Sequence, residues 1–437
     1  IYKKVYKYTK ILKICEIMDL ILKDIALIII ATALGGLIAR LFRQPVIIGY
    51  ILAGLIIGPY GFNHINAEET ILAISELGIT FLLFVVGIEL KIEKIKELGK
   101  VVVIGGMLQI LFIAFFSWLF FKILGFSWIE CFYLAVAPAF SSTLVSVKYL
   151  SDKKHVNLLY GRIVIGMLIL QDIVAIMVIS LLPSLNDFSS SVILYSVFKV
   201  ILLIAIAYFS NRLLKGLFEF ASKSHEVLFL TSLAICFVFV DIAALMDFSM
   251  TIGAFIAGVI IANLPYSVDL ISKVKSLAAF FTAMFFAGIG MQIVPYKFTQ
   301  AILPLFILFF SGVILKFLFL YATIYFFGYD RKTSFLGSSF MGHISEFSIL
   351  VAAQGVLLGQ IGQNILTLII TSTIITMAFS SYLLSKSEEI FLRIGRYLHL
   401  IEIKKREEKL DLEKIRNNEP QIIIYGYENL EGTLLEK

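Results

Sequence analysis

An acidic side chain lies in the middle of a long apolar stretch of this sequence. The stretch runs from Leu158 to Leu181, which is long enough to cross a bilayer as a helix, and it carries Gln171 followed by Asp172. A carboxylate in the hydrocarbon region is costly unless it is paired, hydrated or used, so an acid there marks an ion or proton pathway by default. We therefore predict that Asp172 binds the ion or the proton that crosses the membrane.

A lysine in a second apolar stretch is the candidate partner of this acid. Lys316 and Asp172 each lie about 20 Å along their predicted helices at 1.5 Å per residue, so both are deep in the membrane. Neither would stay ionised alone in hydrocarbon, and we expect a mutual ion pair in one state that breaks when a cation takes the carboxylate. A purely structural role for Lys316, as a neutralising charge, is the alternative.

Two further apolar stretches are interrupted by helix-breaking residues. Ala137–Val147 contains a proline and three successive hydroxyl residues, Ser141 to Thr143, and Gly342–Ser348 contains Glu346 with His343 as its neighbour. Broken helices expose half-helix ends and free carbonyls, which can bind a dehydrated cation. The alternative is a simple kink whose hydroxyls bond to the preceding turn. Glu346 is either a stabilising partner of the half-helix amides or a transport residue.

The composition requires a membrane environment for these polar residues. Hydrophobic residues make up 59% of the 437 residues, charged residues only 16%, and the mean hydropathy is +0.95, which excludes a soluble globule. The net charge of +6 comes from basic residues in short loops and in the C-terminal tail, so it does not indicate nucleic-acid binding. The three cysteines predict neither a disulfide framework nor a metal site.

The apolar stretches predict an all-α polytopic membrane protein with thirteen transmembrane helices. A helix needs about 20 apolar residues to cross the hydrocarbon core of a bilayer. The predicted spans are 19–39, 45–60, 70–90, 101–123, 128–149, 158–181, 192–213, 226–246, 250–264, 275–294, 300–327, 333–357 and 363–385.

The basic residues of the loops predict the orientation of these spans. Loops after odd-numbered spans hold 16 Lys and Arg, whereas loops after even-numbered spans hold only Lys122 and Lys297. This bias places the odd-span loops and the C-terminus in the cytoplasm and the N-terminus outside. Five lysines in the N-terminal tail disagree, and Met18 directly precedes the first span. We therefore expect residues 1–17 to be a mis-assigned start or a processed leader.

Two pairs of segments indicate an internal repeat. Gly49–Pro59 reads GYILAGLIIGP and Gly253–Asn263, 204 positions later, reads GAFIAGVIIAN; Phe84–Leu90 and Phe285–Met291 form a second pair, 201 positions apart. Since the members of each pair are separated by an odd number of spans, the second copy lies inverted relative to the first. Inverted repeats are typical of secondary transporters, whose site lies at the midplane. Chance similarity among glycine-rich apolar helices is the alternative.

Several motifs occur in an order that resembles a known family. The chain is similar over about 19–385 to monovalent cation:proton antiporters, and most of all to the branch of Kef-type potassium efflux systems and sodium/proton exchangers. The motifs that carry this similarity are GYILAGLIIGP, LGITFLLFVVGIEL, SSTLVS, LQDIVA, GAFIAGVIIAN, FFAGIGMQI, VILKFL and SEF.

The resemblance implies a fold and a role for each candidate residue. It implies a homodimer with a thirteen-helix fold and two broken, crossing helices, in which a six-helix core bundle moves against a dimerisation domain. Asp172 takes cation or proton alternately and Lys316 is its charge partner. The ion-binding residues beside Asp172 are Gln171, Ser142 and Thr143 at the helix crossover, and Ser141 and Glu346 support the helix breaks. Gln171 replaces the second acid of electrogenic members, which implies exchange of one proton for one cation, and no other metal or cofactor.

The C-terminal tail predicts no nucleotide site. We divide the chain into an N-terminal tail (1–18), a transmembrane antiporter domain (19–385) and a cytoplasmic tail (386–437). The segment QIIIYGYENLEG resembles the strand and glycine turn that open a dinucleotide-binding domain, but Glu428 and Glu431 stand where glycines approach the pyrophosphate. Two carboxylates repel phosphate, so this start of a domain is degenerate or truncated.

The expected function is exchange of Na+ or K+ for H+ across the plasma membrane, without enzymatic chemistry. A cation channel with the broken helices as its filter is one alternative, although an acid and a lysine at the midplane argue against continuous conduction. An antiporter-like subunit that a soluble partner gates is another.

Overall fold

The computed structural model describes residues 2–65, 68–89, 99–183, 206, 209–210, 214–246, 250–262, 267–295 and 298–394. Within these residues every regular element is a helix, and seven helices are long and apolar enough to cross a membrane, with five shorter apolar helices beside them. The chain is therefore an all-α integral membrane protein. Most of the predicted span 192–213, and the tail beyond residue 394, lie outside the described residues.

Seven helices lie within the described residues from 2 to 183. Their bounds follow the predicted spans closely, except that the first helix begins well before residue 19. The helices are α1 (Tyr2–Leu41), α2 (Val46–Ile57), α3 (Glu68–Glu89), α4 (Val101–Ile123, whose first turn is a π-helix), α5 (Trp128–Val136), α6 (Thr143–Asp152) and α7 (Leu159–Leu181).

The second half contains nine described helices. One of them, α12, is long and includes a π-helical segment over Phe310–Leu315 that ends directly before Lys316. The helices are α8 (214–221), α9 (His225–Leu245), α10 (Met250–Ala262), α11 (Ser267–Met291), α12 (Phe298–Phe309, the π segment and Lys316–Phe326), α13 (Arg331–Ser339), α14 (Glu346–Leu357), α15 (Gln363–Ser385) and α16 (Ser387–Ile394).

Glycines bring helices outside the broken pair into backbone contact. A Cβ atom added to Gly258 of α10 would lie 2.2 Å from the carbonyl oxygen of Phe84 in α3, and one on Gly54 of α2 would lie 2.0 Å from that of Ala287 in α11. Only glycine permits such an approach, as is common where membrane helices pack. These contacts fix α2 on α11 and α3 on α10.

Both predicted helix interruptions are present. The helix α5 passes into a single 3-10 turn at Ala137–Ala139, the backbone becomes extended at Phe140, and α6 starts at Thr143. The helix α13 ends at Ser339, and α14 starts at Glu346. Pro138 lies in the 3-10 turn and Ser142 and Ser345 cap the helices that follow, so residues that disfavour a helix interior account for both breaks.

Candidate ion-binding site

The two interrupted helices cross each other and are joined by hydrogen bonds. The Ser141 hydroxyl donates to the carbonyl oxygen of Met341 at 2.8 Å, and the Ser348 hydroxyl donates to that of Ala137 at 2.7 Å. The Ser146 hydroxyl, one turn into α6, donates to the carbonyl oxygen of Phe340 at 2.5 Å. Side chains of each interrupted helix thus satisfy carbonyls that the other helix leaves without a helical partner.

Lys316 fills the centre of this crossing. Its side chain is fully buried, and Nζ donates to the carbonyl oxygens of Phe140 (3.0 Å) and His343 (2.8 Å) and to the Ser141 hydroxyl (3.1 Å). Asp172 is not one of these three acceptors, and its expected pairing with Lys316 in one state stays a prediction. Two carbonyls of the breaks and the Ser141 hydroxyl accept the ammonium hydrogens, which the depth of a residue along its helix could not reveal.

Asp172 lies on another side of the crossing. The Thr143 hydroxyl donates to Asp172 Oδ2 at 2.9 Å, and both side chains are half-buried rather than sealed in the core. Thr143 is the first residue of α6, so the carboxylate lies at the positive end of that helix dipole. The predicted carrier therefore has a hydroxyl partner, lies at the start of a helix and is partly exposed.

The side chain of Gln171 is buried and has other partners than Asp172. Its Oε1 accepts from the backbone N–H of Ser141 at 2.8 Å, and its Nε2 donates to Oε1 of Gln109, a fully buried residue of α4. Gln109 was not among the residues predicted from the sequence. Its signal was available, because it is the one polar residue in the apolar run from Val101 to Phe116.

Glu346 lies between the starts of two helices. It is buried in the first turn of α14, where the Ser345 hydroxyl donates to its Oε2 at 3.5 Å, and the Ser142 side chain and the backbone of Leu144 lie near its carboxylate. The Ser142 oxygen also accepts from the N–H of Val145 at 3.3 Å. The contacts of Ser142 are thus those of a helix cap, and those of Glu346 are with the N-terminal ends of both half-helices.

His343 joins three elements of the crossing. Its ring is fully buried, with Nε2 3.1 Å from the carbonyl oxygen of Ser142 and Nδ1 3.1 Å from the hydroxyl oxygen of Ser380 in α15. A carbonyl oxygen can only accept, so Nε2 carries a hydrogen. From the sequence, His343 was expected only to be a neighbour of Glu346, because helical spacing does not show contacts across elements.

Comparison with known proteins identifies the family. Residues 27–385 match the family described as sodium/hydrogen exchanger, transmembrane, and the chain belongs to this family. The expected membership of the cation:proton antiporters is thereby confirmed.

Individual relatives resemble the chain over most of its length. It is 30% identical over 370 residues to K(+) efflux antiporter 6 of Arabidopsis thaliana, covering 82% of this chain and 62% of that protein. It is 26% identical over 388 residues to the glutathione-regulated potassium-efflux system protein KefC of Escherichia coli, covering 87% of this chain and 61% of that protein. The chain thus spans less than two-thirds of either relative.

A solved structure has the same fold. The sodium proton antiporter MjNhaP1 from Methanocaldococcus jannaschii superposes with a TM-score of 0.64 at 15% identity, covering 86% of this chain and 99% of that one. At this identity the likeness establishes the architecture, and the assignment of residues depends on the geometry described above.

Proposed function

We propose that this protein exchanges a monovalent cation, Na+ or K+, for H+ across the plasma membrane, with Asp172 as the carrier. The observation that supports this most directly is the half-buried carboxylate of Asp172, bound by the Thr143 hydroxyl at the start of a broken helix. Membership of the sodium/hydrogen exchanger family agrees with it, and the relatives named above are a potassium efflux antiporter, a potassium efflux system and a sodium proton antiporter.

Competition at one carboxylate couples the two fluxes. The ionised Asp172 attracts a cation, and the Thr143 oxygen, which donates its hydrogen to the carboxylate, keeps a lone pair for the same ion. Protonation removes the negative charge and with it the attraction for the cation. If the site turns from one side of the membrane to the other only when it is occupied, each cation that leaves is replaced by one proton.

The remaining charges support the crossing in this proposal. Lys316 binds carbonyls of both breaks, and the negative charge of Glu346 lies in the first turn of α14, where the helix dipole favours it. Because the Lys316 ammonium fills the centre of the crossing, the arrangement favours a carrier over a channel whose filter would be formed by these breaks. Gln171 is neutral, which supports electroneutral exchange by Asp172 alone.

We also propose thirteen spans in two inverted repeats. A Cβ on Gly49 would lie 2.1 Å from the carbonyl oxygen of Gly35, and a Cβ on Gly253 would lie 2.2 Å from that of Phe239. Each residue of the second contact is 204 positions after its counterpart in the first. The distribution of Lys and Arg supports a cytoplasmic C-terminus and an external N-terminus, and the family resemblance supports a homodimer.

The proposal is tested with purified protein in proteoliposomes that hold a pH-sensitive dye. Sodium and potassium gradients are imposed side by side, and we expect at least one to drive saturable proton movement in the opposite direction. Proton movement that follows neither gradient would contradict the proposal. Non-saturating cation flux without proton movement would indicate a channel, and activity that appears only with a soluble partner would indicate a gated subunit.

A further inference from the structure

A continuous chain of buried hydrogen bonds runs from the first helix break through two glutamines and returns to it. Gln109 Nε2 donates to the carbonyl oxygen of Ala139 at 2.9 Å, Gln171 Nε2 donates to Gln109 Oε1, and Gln171 Oε1 accepts from the N–H of Ser141 at 2.8 Å. No more than 1% of the surface of either glutamine is exposed. Water therefore does not compete for these bonds.

The two backbone ends of the chain fix the orientation of both amides. A carbonyl oxygen can only accept, so the end of Gln109 that faces Ala139 is its NH2 group and the other end is its oxygen. A backbone N–H can only donate, so the end of Gln171 that faces Ser141 is its oxygen. Rotating either amide would place two donors or two acceptors in contact within the buried crossing, which is unfavourable.

The side chain at position 171 must therefore accept a hydrogen bond from the Ser141 N–H in the break and donate one to Gln109 at the same time. An ionised carboxylate has no hydrogen to donate and would face the Gln109 oxygen, so an acid is compatible with this environment only when it is protonated. We propose that Gln109 is a positioning residue that holds Gln171 against the first break and excludes an ionised acid at position 171, so that Asp172 alone carries the transported charge. This inference rests on the proposed function.

The same contact sets the rotation of α7. Successive residues of an α-helix are about 100° apart around its axis, at 3.6 residues per turn. Because Gln109 holds Gln171 against the break, Asp172 on the next position is directed toward Thr143. Loss of the glutamine contact should therefore weaken cation binding at Asp172, although Gln109 itself does not touch the ion.

Two substitutions of Gln109 test this role through transport. Gln109→Leu removes both polar groups at similar volume, and we expect the KM for the cation to rise about tenfold or more. In Gln109→Glu, the protonated acid donates its O–H to the Ala139 carbonyl and accepts from Gln171. We therefore expect a KM for the cation close to that of the wild type at acidic pH. At alkaline pH the acid ionises, and we expect a loss of cation affinity that the wild type does not show. Gln354→Glu in α14 is the matched control, with the wild-type pH profile expected.

Two further measurements test the inference when Gln109→Leu is poorly folded or inactive. Gln171→Glu should exchange without dependence on an imposed membrane potential, because its acid stays protonated against Gln109. In a double-mutant cycle of Gln109→Leu and Gln171→Leu, the fall in melting temperature of the double variant should be smaller than the sum of the single falls. The cycle needs no transport activity.

Three outcomes would overturn the inference. They are a wild-type KM and pH profile in both Gln109 variants, a potential-dependent flux in Gln171→Glu, and strictly additive melting shifts in the cycle. Failure of the proposed function is distinguishable from these, because the wild type would then show no coupled exchange, or would keep its exchange after Asp172→Asn, while the melting cycle could still show coupling between the two glutamines.

Discussion

Lys316 Nζ donates to the carbonyl oxygen of His343 at 2.8 Å, although Lys316 lies in α12 and His343 in the break between α13 and α14. The same ammonium group donates to the carbonyl oxygen of Phe140 in the other helix break. One side chain thus binds the backbone of both interrupted helices where they cross. The lysine is therefore a structural cross-link of the ion site in this conformation.

Lys316→Met should lower stability more than it changes the pH dependence of exchange. The substitution removes the donors to the carbonyls of Phe140 and His343, and a buried carbonyl without a partner costs about 1–3 kcal/mol. We expect a melting temperature several degrees lower, with Lys122→Met at the exposed end of α4 as the control. A large shift of the pH profile at unchanged melting temperature would show instead that Lys316 acts directly on Asp172.

Asp172→Asn should abolish exchange while the protein stays folded. Asparagine keeps the shape of aspartate but cannot alternate between a charged and a protonated form, which the coupling needs. Proteoliposome flux should fall to the level of empty vesicles, and the melting temperature should change little. The control is Asp241→Asn, at an exposed position of α9, which should exchange normally. Near-normal exchange by Asp172→Asn would exclude Asp172 as the carrier.

Glu346→Gln should be active but less stable. The amide replaces one acceptor oxygen near the N-terminal ends of α14 and α6. It also removes a negative charge that both helix dipoles stabilise, which costs about 0.3–2 kcal/mol of stability. We expect a lower melting temperature with at least half of the wild-type exchange rate. Glu389→Gln, on α16, serves as the control. If exchange disappears while stability is unchanged, Glu346 is a transport acid.

The sequence was sufficient to propose most residues of the candidate site, whose role in transport stays a prediction. Asp172, Lys316 and Glu346 are charges in apolar stretches, and Pro138 disfavours a helix interior, so each conflicts with a simple membrane helix and is visible without a structure. The two breaks could be located for the same reason. Composition and the spacing of the apolar stretches were also sufficient to predict the all-α membrane fold.

The partners of these residues could not be predicted from the sequence. Depth along a helix places Lys316 and Asp172 at a similar level, but it does not determine the directions in which they point. It could not show that two backbone carbonyls and the Ser141 hydroxyl accept from the Lys316 ammonium. Gln109 lies in a different helix from its contacts, 30 residues from Ala139. An amide in an apolar run indicates only that some partner exists, because hydrogen bonds across elements depend on their packing.

Exchange should not respond to an imposed membrane potential. Moving one elementary charge across the membrane is worth ~2.3 kcal/mol per 100 mV, so any cycle that carries net charge must respond to the potential. Sodium-driven proton flux should be equal in vesicles clamped with valinomycin at different potentials, and a test with potassium needs a different ionophore. A steep dependence would mean that a second group exchanges protons during transport.

Gly258→Ala should destabilise the packing of α10 on α3. The new Cβ would lie 2.2 Å from the carbonyl oxygen of Phe84, and overpacking of this kind costs about 1–3 kcal/mol. We expect a lower melting temperature. Gly54→Ala should have the same effect, because its Cβ would lie 2.0 Å from the carbonyl oxygen of Ala287. The control is Gly216→Ala, because a Cβ there meets no atom within 4 Å. Equal melting temperatures for Gly258→Ala and Gly216→Ala would show that the close approach of α10 and α3 is absent in the membrane.

The cross-linked helix breaks have a consequence for ion affinity. Ser141, Lys316, His343 and both glutamines already have hydrogen-bond partners, so a cation that arrives at Asp172 does not have to order the crossing. The loss of conformational entropy on binding is therefore small, and the site is preorganised. The preference for sodium or potassium then depends mainly on two free energies. One is the cost of dehydrating the ion, and the other is the gain from binding it to the oxygen atoms of Asp172 and Thr143.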